Sequence, residues 1–347
     1  MKTKLTSIIC SFASLVRLTL AVVALLAAPA ASRADTIYVS DTGHNTIKKF
    51  TSGGIGSVFA NTGLNEPFGL AFDSAGNLYA ANGGNNTIEK FTPGGVGSVF
   101  ANTGLLNPTA LAFDSTGNLY AANWLNNTIE KFTLGGVGSV FANTGLSYPW
   151  GLAFDSAGNL YAANGGNNTI EKFTLDGVGS VFANTSLNKP FGLAFDSAGN
   201  LFVANQGNNT IEKFTSGGVG SVFANTGLDV PSGVAFDSAD NLYAVNQGNN
   251  TVEKFTPGGV GSVFANSSGL FGPTYIAIQP GLVVPEPSTW AMLGLGIPGL
   301  LALRRKRERV SMRDRGHTSS NKPDAANPAI ASLFQPCSPA VVAELRR

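Results

Sequence analysis

The stretch 72–82 reads FDSAGNLYAAN, and 154–164 repeats it letter for letter. Close variants begin at Phe113, Phe195 and Phe236, so the Asp of each copy falls at 73, 114, 155, 196 and 237, a constant spacing of 41 residues. A fixed period of that length restricts the chain to a solenoid, a propeller or an array of stacked units.

Each unit holds four strand-like runs. In the second full unit they are TALAFD, NLYAAN, TIEKFT and GVGSVFAN, separated by DSTGN, NWLNN and TLGG. These separators are rich in Gly and Asn, which accept positive φ, and in Asp and Ser, which bond nearby backbone amides. Four short antiparallel strands in about 40 residues make one propeller blade. The fold class is therefore all-β.

Full units start at Pro67, Pro108, Pro149, Pro190 and Pro231. Ahead of Pro67, TIYVSDTGHNTIKKFTSGGIGSVFANTGL supplies strands two to four without a first. After the fifth unit, PTYIAIQPG supplies a first strand alone. Together they complete a sixth blade, which removes the open edges of an unclosed array. The expectation is a six-bladed β-propeller over 35–281, its sixth blade closed by the N- and C-terminal strands, with 275–278 pairing beside 37–40.

The units resemble NHL repeats: PFGLAFDSAGNLYAANGGNNTIEKF, from Pro67 to Phe91, fits nearly every slot of that pattern. One slot departs from it. The family's Asp after the Ala is Asn82, Asn123, Asn164, Asn205 and Asn246, and only Asp41 keeps the acid. The resemblance implies a six-bladed propeller and leaves scaffold, ligand-binding and enzymatic roles open.

Charge divides the chain. Residues 35–281 carry 8 basic and 16 acidic side chains, whereas the segments on either side are basic. An acidic body is a poor partner for nucleic acid, whose affinity comes from neutralised phosphates. At the N-terminus, Lys2 and Lys4 precede LTLAVVALLAAPAA, and Ser32 and Ala34 offer a small-x-small cleavage site before Asp35. Residues 1–34 thus have the form of a secretory signal peptide, with an uncleaved anchor as the alternative. The only cysteines are Cys10 and Cys337, so the body has no disulfide.

The propellers related to this repeat include lactonases, which gather Glu, Asn and Asp around a divalent ion in the central channel, and streptogramin-opening lyases, which need His. Acid–base work needs a group that titrates near working pH. The body's one His, His44, sits in a turn, where a solvated role is expected. Each repeated Asp precedes SAGN or a variant, a place for bonding turn amides. The Glu-Lys pairs, Glu89-Lys90 and their copies, are read as a solvated rim. GGVGS leads into a strand and so fails as a phosphate loop. No catalytic residue, metal ligand or cofactor is expected.

Binding needs asymmetry, so the slots that differ between blades are informative. The slot after the opening Pro holds Phe68, Thr109, Trp150, Phe191, Ser232 and Thr274. The slot before it holds Glu66, Asn107, Tyr148, Lys189, Val230 and Gly272, and Gly83-Gly84 becomes Trp124-Leu125 one unit later. In an up-and-down blade these loops share one face. Phe68, Trp124, Tyr148, Trp150 and Phe191 are therefore the candidate binding surface for a protein or glycan. The alternative is that these rings fill gaps between blades.

Residues 282–307 contain Pro285-Glu286-Pro287, about 16 mostly apolar residues, and Arg304-Arg305-Lys306-Arg307. The apolar run is short of the roughly 20 residues a stable span needs. This tripartite segment resembles the PEP-CTERM sorting signal. That resemblance implies transient membrane anchoring, processing by an exosortase near Pro-Glu-Pro, and delivery to the surface or extracellular matrix of a Gram-negative bacterium. A plain single-pass anchor is the alternative. Residues 308–347 are polar, Pro-containing and without a core pattern, as a disordered tail would be. Asp35 and Gly281 should leave the propeller on the DSAGN face, so that the variable face points away from the membrane. The leading expectation is a surface-sorted binding or scaffold protein. The rivals are a lyase- or lactonase-type enzyme and a purely structural matrix component.

Overall fold

The computed structural model describes residues 35–266 and 269–281; the signal peptide, sorting motif and tail expected from sequence lie outside them. Twenty-four strands form six four-stranded antiparallel sheets. In the first full blade the strands run Pro67–Phe72, Leu78–Asn82, Thr87–Phe91 and Gly97–Ala101, from the inside outward. Four further blades repeat this plan, opening at Pro108, Pro149, Pro190 and Pro231.

The sixth blade closes as the sequence requires. Thr36–Asp41 pairs with Pro273–Gln279, matching Ile37 with Ile278, Tyr38 with Ala277 and Val39 with Ile276. Gln279 takes the slot of the repeated Asp and accepts a hydrogen bond from Tyr38 Oη at 3.4 Å. The broken turn is bridged by Asp35, which accepts from Gly281 N at 3.0 Å and from Ser238 N, in the neighbouring blade's turn, at 2.6 Å. Both ends of the described chain therefore meet on the DSAGN face.

Blades pack through aromatic edges. Tyr79 lies 5.0 Å, edge to face, from Phe100 of its own blade and from Phe113 of the next. A register shift opposite Phe100 makes this contact possible, because the bulge turns that ring inward between the exposed Val99 and the buried Ala101. Near the axis the inner strands approach so closely that the third position is Gly in four blades. A Cβ on Gly69 would lie 2.7 Å from Ala110 Cα.

Two sequence expectations about polar residues part company here. The repeated Asp is a turn residue, as expected. Asp73 Oδ1 accepts from the amides of Ala75 and Asn77, at 3.0 and 2.8 Å, and Oδ2 accepts from Asn77 Nδ2 at 2.8 Å. The Glu-Lys pair is not a solvated rim. Lys90 reaches Asp73 at 3.6 Å, but Glu89 is 6% exposed, turned into the seam where it packs against Gly63 of the preceding blade. Period-two alternation explains the split, since adjacent side chains on a strand face opposite ways.

Candidate functional site

The loops joining second to third strands and the loops entering the inner strands meet on the face opposite the DSAGN turns. Gly83 N donates to Glu66 O at 3.1 Å, and Trp124 N donates to Asn107 O at 3.2 Å. The residue before each opening Pro is left-handed: Tyr148 has φ of 48° and Val230 of 51°. This conformation is uncommon outside Gly, and Val there is strained. It is held by the preceding blade, whose Asn127 and Asn209 side-chain oxygens accept from Tyr148 N and Val230 N at 2.6 and 2.8 Å. The backbone is thus invariant while the side chain is free to vary.

On this frame the five residues singled out by sequence form one contiguous cluster. Trp124 lies 5.4 Å from Tyr148 and 5.3 Å from Trp150, between ring centroids. Trp150 stacks on Phe191 at 4.7 Å and meets Phe68 edge-on at 6.2 Å. Their exposure is graded: Phe191 is buried, Phe68, Trp124 and Trp150 are partly buried, and Tyr148 is 46% exposed. Phe191 therefore acts as floor. Trp124, Tyr148 and Trp150 line a cavity of about 290 Å³ with Gly165, Gly166, Lys189 and Gln206. The glycines matter by lacking side chains, since a Cβ on Gly165 would lie 2.6 Å from Trp150 Cδ1.

Sequence reasoning missed Tyr275. It occupies the inner-strand slot that is Gly or Ala in the other five blades, and its hydroxyl donates across the axis to Trp150 O on the opposite blade. It is 8% exposed, and its ring lies 5.4 Å from Phe191. Burial raises its phenol well above the ordinary tyrosine value. Aligning the six opening strands exposes this exception, because a Tyr stands where its sisters have almost no side chain. Lys189 and Gln206 were also not singled out. Lys189 is the only cation in the slot before the opening Pro.

His44 is half exposed, and its Nδ1 lies 2.9 Å from Asp41 Oδ2. Among the described residues, no group of three or more His, Cys, Asp and Glu is placed to hold a metal. Tyr275, Phe191, Trp150 and Phe68 are joined by ring contacts and the Tyr275 hydrogen bond, and none of the four carries a carboxylate.

The model of the NHL repeat matches residues 146–173, which include Tyr148 and Trp150, and the model of the PEP-CTERM protein-sorting motif matches residues 283–307. The chain carries an NHL repeat and a PEP-CTERM sorting motif. The second match spans the expected Pro285-Glu286-Pro287 and Arg304-Arg305-Lys306-Arg307. No curated protein matches significantly. Among solved structures, this propeller is similar to a chain of a nidogen/laminin complex, at 23% identity and a TM-score of 0.65, covering 72% of this chain and 99% of that one. It is also similar to virginiamycin B lyase from Staphylococcus aureus, at 20% identity and a TM-score of 0.52, covering 60% and 73%. A gluconolactonase from Xanthomonas campestris aligns at 20% identity and a TM-score of 0.54, covering 61% and 79%. At these identities the likeness shows the fold. The sorting motif marks the chain for export with transient anchoring through its C-terminal segment.

Proposed function

We propose that this is a surface-sorted binding protein whose aromatic face, built on Trp124, Tyr148 and Trp150 over Phe191 and Phe68, holds a glycan or protein ligand. The observation that carries the reading is the contiguity of these rings, three of which, Trp124, Tyr148 and Trp150, line one cavity. The five come from four blades and stand in slots whose residues vary around the ring, Phe recurring only at Phe68 and Phe191. Rings with one apolar face and a polar edge suit partners that are part apolar and part hydrogen-bonding. Lys189 and Gln206 supply donors at the rim of the cavity. Tyr275 supports the floor from the far side of the axis.

In this reading an exosortase processes the chain near Pro285-Glu286-Pro287, and the protein resides at the cell surface or in the extracellular matrix of a Gram-negative bacterium. Gly281, the last described residue, bonds to Asp35 on the DSAGN face, opposite the aromatic rings. Catalysis of the lyase or lactonase kind remains the rival reading, and its support is the shared fold of those enzymes.

Trp124 and Trp150 are the only tryptophans within 35–281, so intrinsic fluorescence reports on this site alone. Titrating the propeller with surface polysaccharide and with surface protein should shift that emission saturably in at least one case. Pull-down from the same fractions by the Trp124→Ala/Trp150→Ala variant should lose the bound species while the fold is retained. Binding that persists in the variant while its thermal stability collapses would overturn the proposal.

A further inference from the structure

The six outermost strands are the most uniform surface on the molecule. All six read GSVFA, from Gly56–Ala60 to Gly261–Ala265, with no charged residue and no proline. Each is paired on one side only, to the third strand of its blade. Each presents one exposed valine, and a second exposed aliphatic residue stands just before its first residue. Val96 and Val99 are 70% and 58% exposed, and the pair recurs at intervals of 41 as far as Val260 and Val263, with Ile55 and Val58 completing the ring. Edges of this sort are ordinarily blunted by lysines, prolines or short length. Here the strands are five residues long, the register shift falls at the fourth residue, and the next blade's turn approaches the carbonyl of that residue, as Gly136 does Phe100 O; Gly97, Ser98 and Val99 stay in regular register with no charge beside them on the strand.

We infer that this rim associates with the rim of a second copy of the same chain, outer strand against outer strand. Two observations select that occupant. The body carries 16 acidic against 8 basic side chains, so two copies repel on balance, and the outer strands, which carry no charge, are where close approach brings the least like charge together. Identity among the six edges also suits a partner that meets any blade equally, and a copy presenting the same uncharged edge does so. An antiparallel pair of GSVFA strands is self-complementary, placing valine near valine across a two-fold axis.

A curved rim touches its neighbour over one or two blades. Each contact is therefore smaller than the roughly 1,000 Å² of a stable interface, and weak singly. Six such edges on each propeller make the assembly multivalent, so it forms where copies are crowded in one layer. The rim is set by the outer strands rather than by either face, so lateral contact leaves the aromatic cavity open.

Sedimentation velocity of residues 35–281, whose blades close within themselves, tests this from micromolar to millimolar concentration. The weight-average sedimentation coefficient should rise with concentration and rise further with added salt, which screens the acidic bodies. A variant with Val99, Val140, Val181 and Val222 changed to Lys should associate more than about tenfold more weakly. A second variant, Ser98→Lys with the same change at Ser139, Ser180 and Ser221, should do likewise if the first fails to fold. Wild-type protein that stays monomeric throughout, or folded lysine variants that associate as wild type does, would overturn the inference. So would association that appears only with lipid vesicles or with a different protein.

Discussion

Asn164 shows why an amide replaced the acid usual at its position. Its side chain is buried; Oδ1 accepts from Ser147 N at 3.1 Å, while Nδ2 donates to Gly145 O at 2.8 Å and Thr169 Oγ1 at 3.0 Å. A carboxylate could not make the bond to the Gly145 carbonyl. Asp41, at the same slot of the sixth blade, faces donors instead: Phe271 N at 2.6 Å and Thr46 Oγ1 at 3.4 Å. Asn164→Asp should therefore destabilise the propeller by about 1–3 kcal/mol, read from urea denaturation, because it leaves a buried acceptor facing an acceptor. The repeated acids set a pH dependence. Burial raises the Glu89, Glu130, Glu171, Glu212 and Glu253 carboxyls above the ordinary glutamate value. For the repeated Asp, burial pushes upward but is outweighed by hydrogen bonds from Asn77 and its copies, with the neighbouring lysine charge adding to them in most blades; the result is below the ordinary value. The folded state holds the Glu protons more tightly than the unfolded chain, so their contribution is complete below about pH 4.3 and lost as pH rises through the raised values. The Asp contribution is present above about pH 3.9 and lost as pH falls through the lowered values. On these groups, stability peaks in mild acid. Denaturation midpoints measured across pH should decline from there toward neutrality, and a Glu130→Gln/Glu171→Gln/Glu212→Gln variant should decline less.

The closing strand is the element on which the ring depends. Pro273–Gln279 supplies the inner edge of the sixth blade, the Tyr275 hydroxyl to Trp150 O, and the Thr274 hydroxyl 3.0 Å from Ser40 Oγ. A chain ending at Gly272 should lose protection from amide exchange throughout Thr36–Asp41 and aggregate through the opened edge. Protection equal to that of the full chain would contradict this closure. The strand was legible in sequence because a lone first strand after the fifth unit complements the missing first strand before Pro67. What was not legible was the destination of its side chains. Period alone says that Glu89 and Lys90 face opposite ways, but not that the glutamate enters the seam between blades. The reason lies 26 residues upstream in another blade, where Gly63 leaves room for it. The contact of Tyr275 was hidden for the same reason: alignment shows a Tyr in a Gly or Ala slot, but its partner is on the blade opposite.

At the scale of the whole molecule, the repeat explains the architecture and its exceptions explain the candidate site. Blade number, strand order, closure and the shared face of the variable loops all follow from the 41-residue period and turn chemistry. The contact of Trp124 with Tyr148 and Trp150 does not, because it joins adjacent blades through two loop residues and the second residue of an inner strand, positions whose side chains no period constrains. The fold itself does without Trp124, since the corresponding position is Gly83, Gly165, Gln206 or Gln247 in other blades. A ring retained there for a ligand should be nearly dispensable for stability, and a ring that plugs the structure should not. Urea denaturation of the propeller with Trp124→Ala decides between them. The account predicts a stability within about 1 kcal/mol of wild type, as for a surface substitution. A loss of about 3 kcal/mol or more, the cost of emptying a packed tryptophan site, would contradict it.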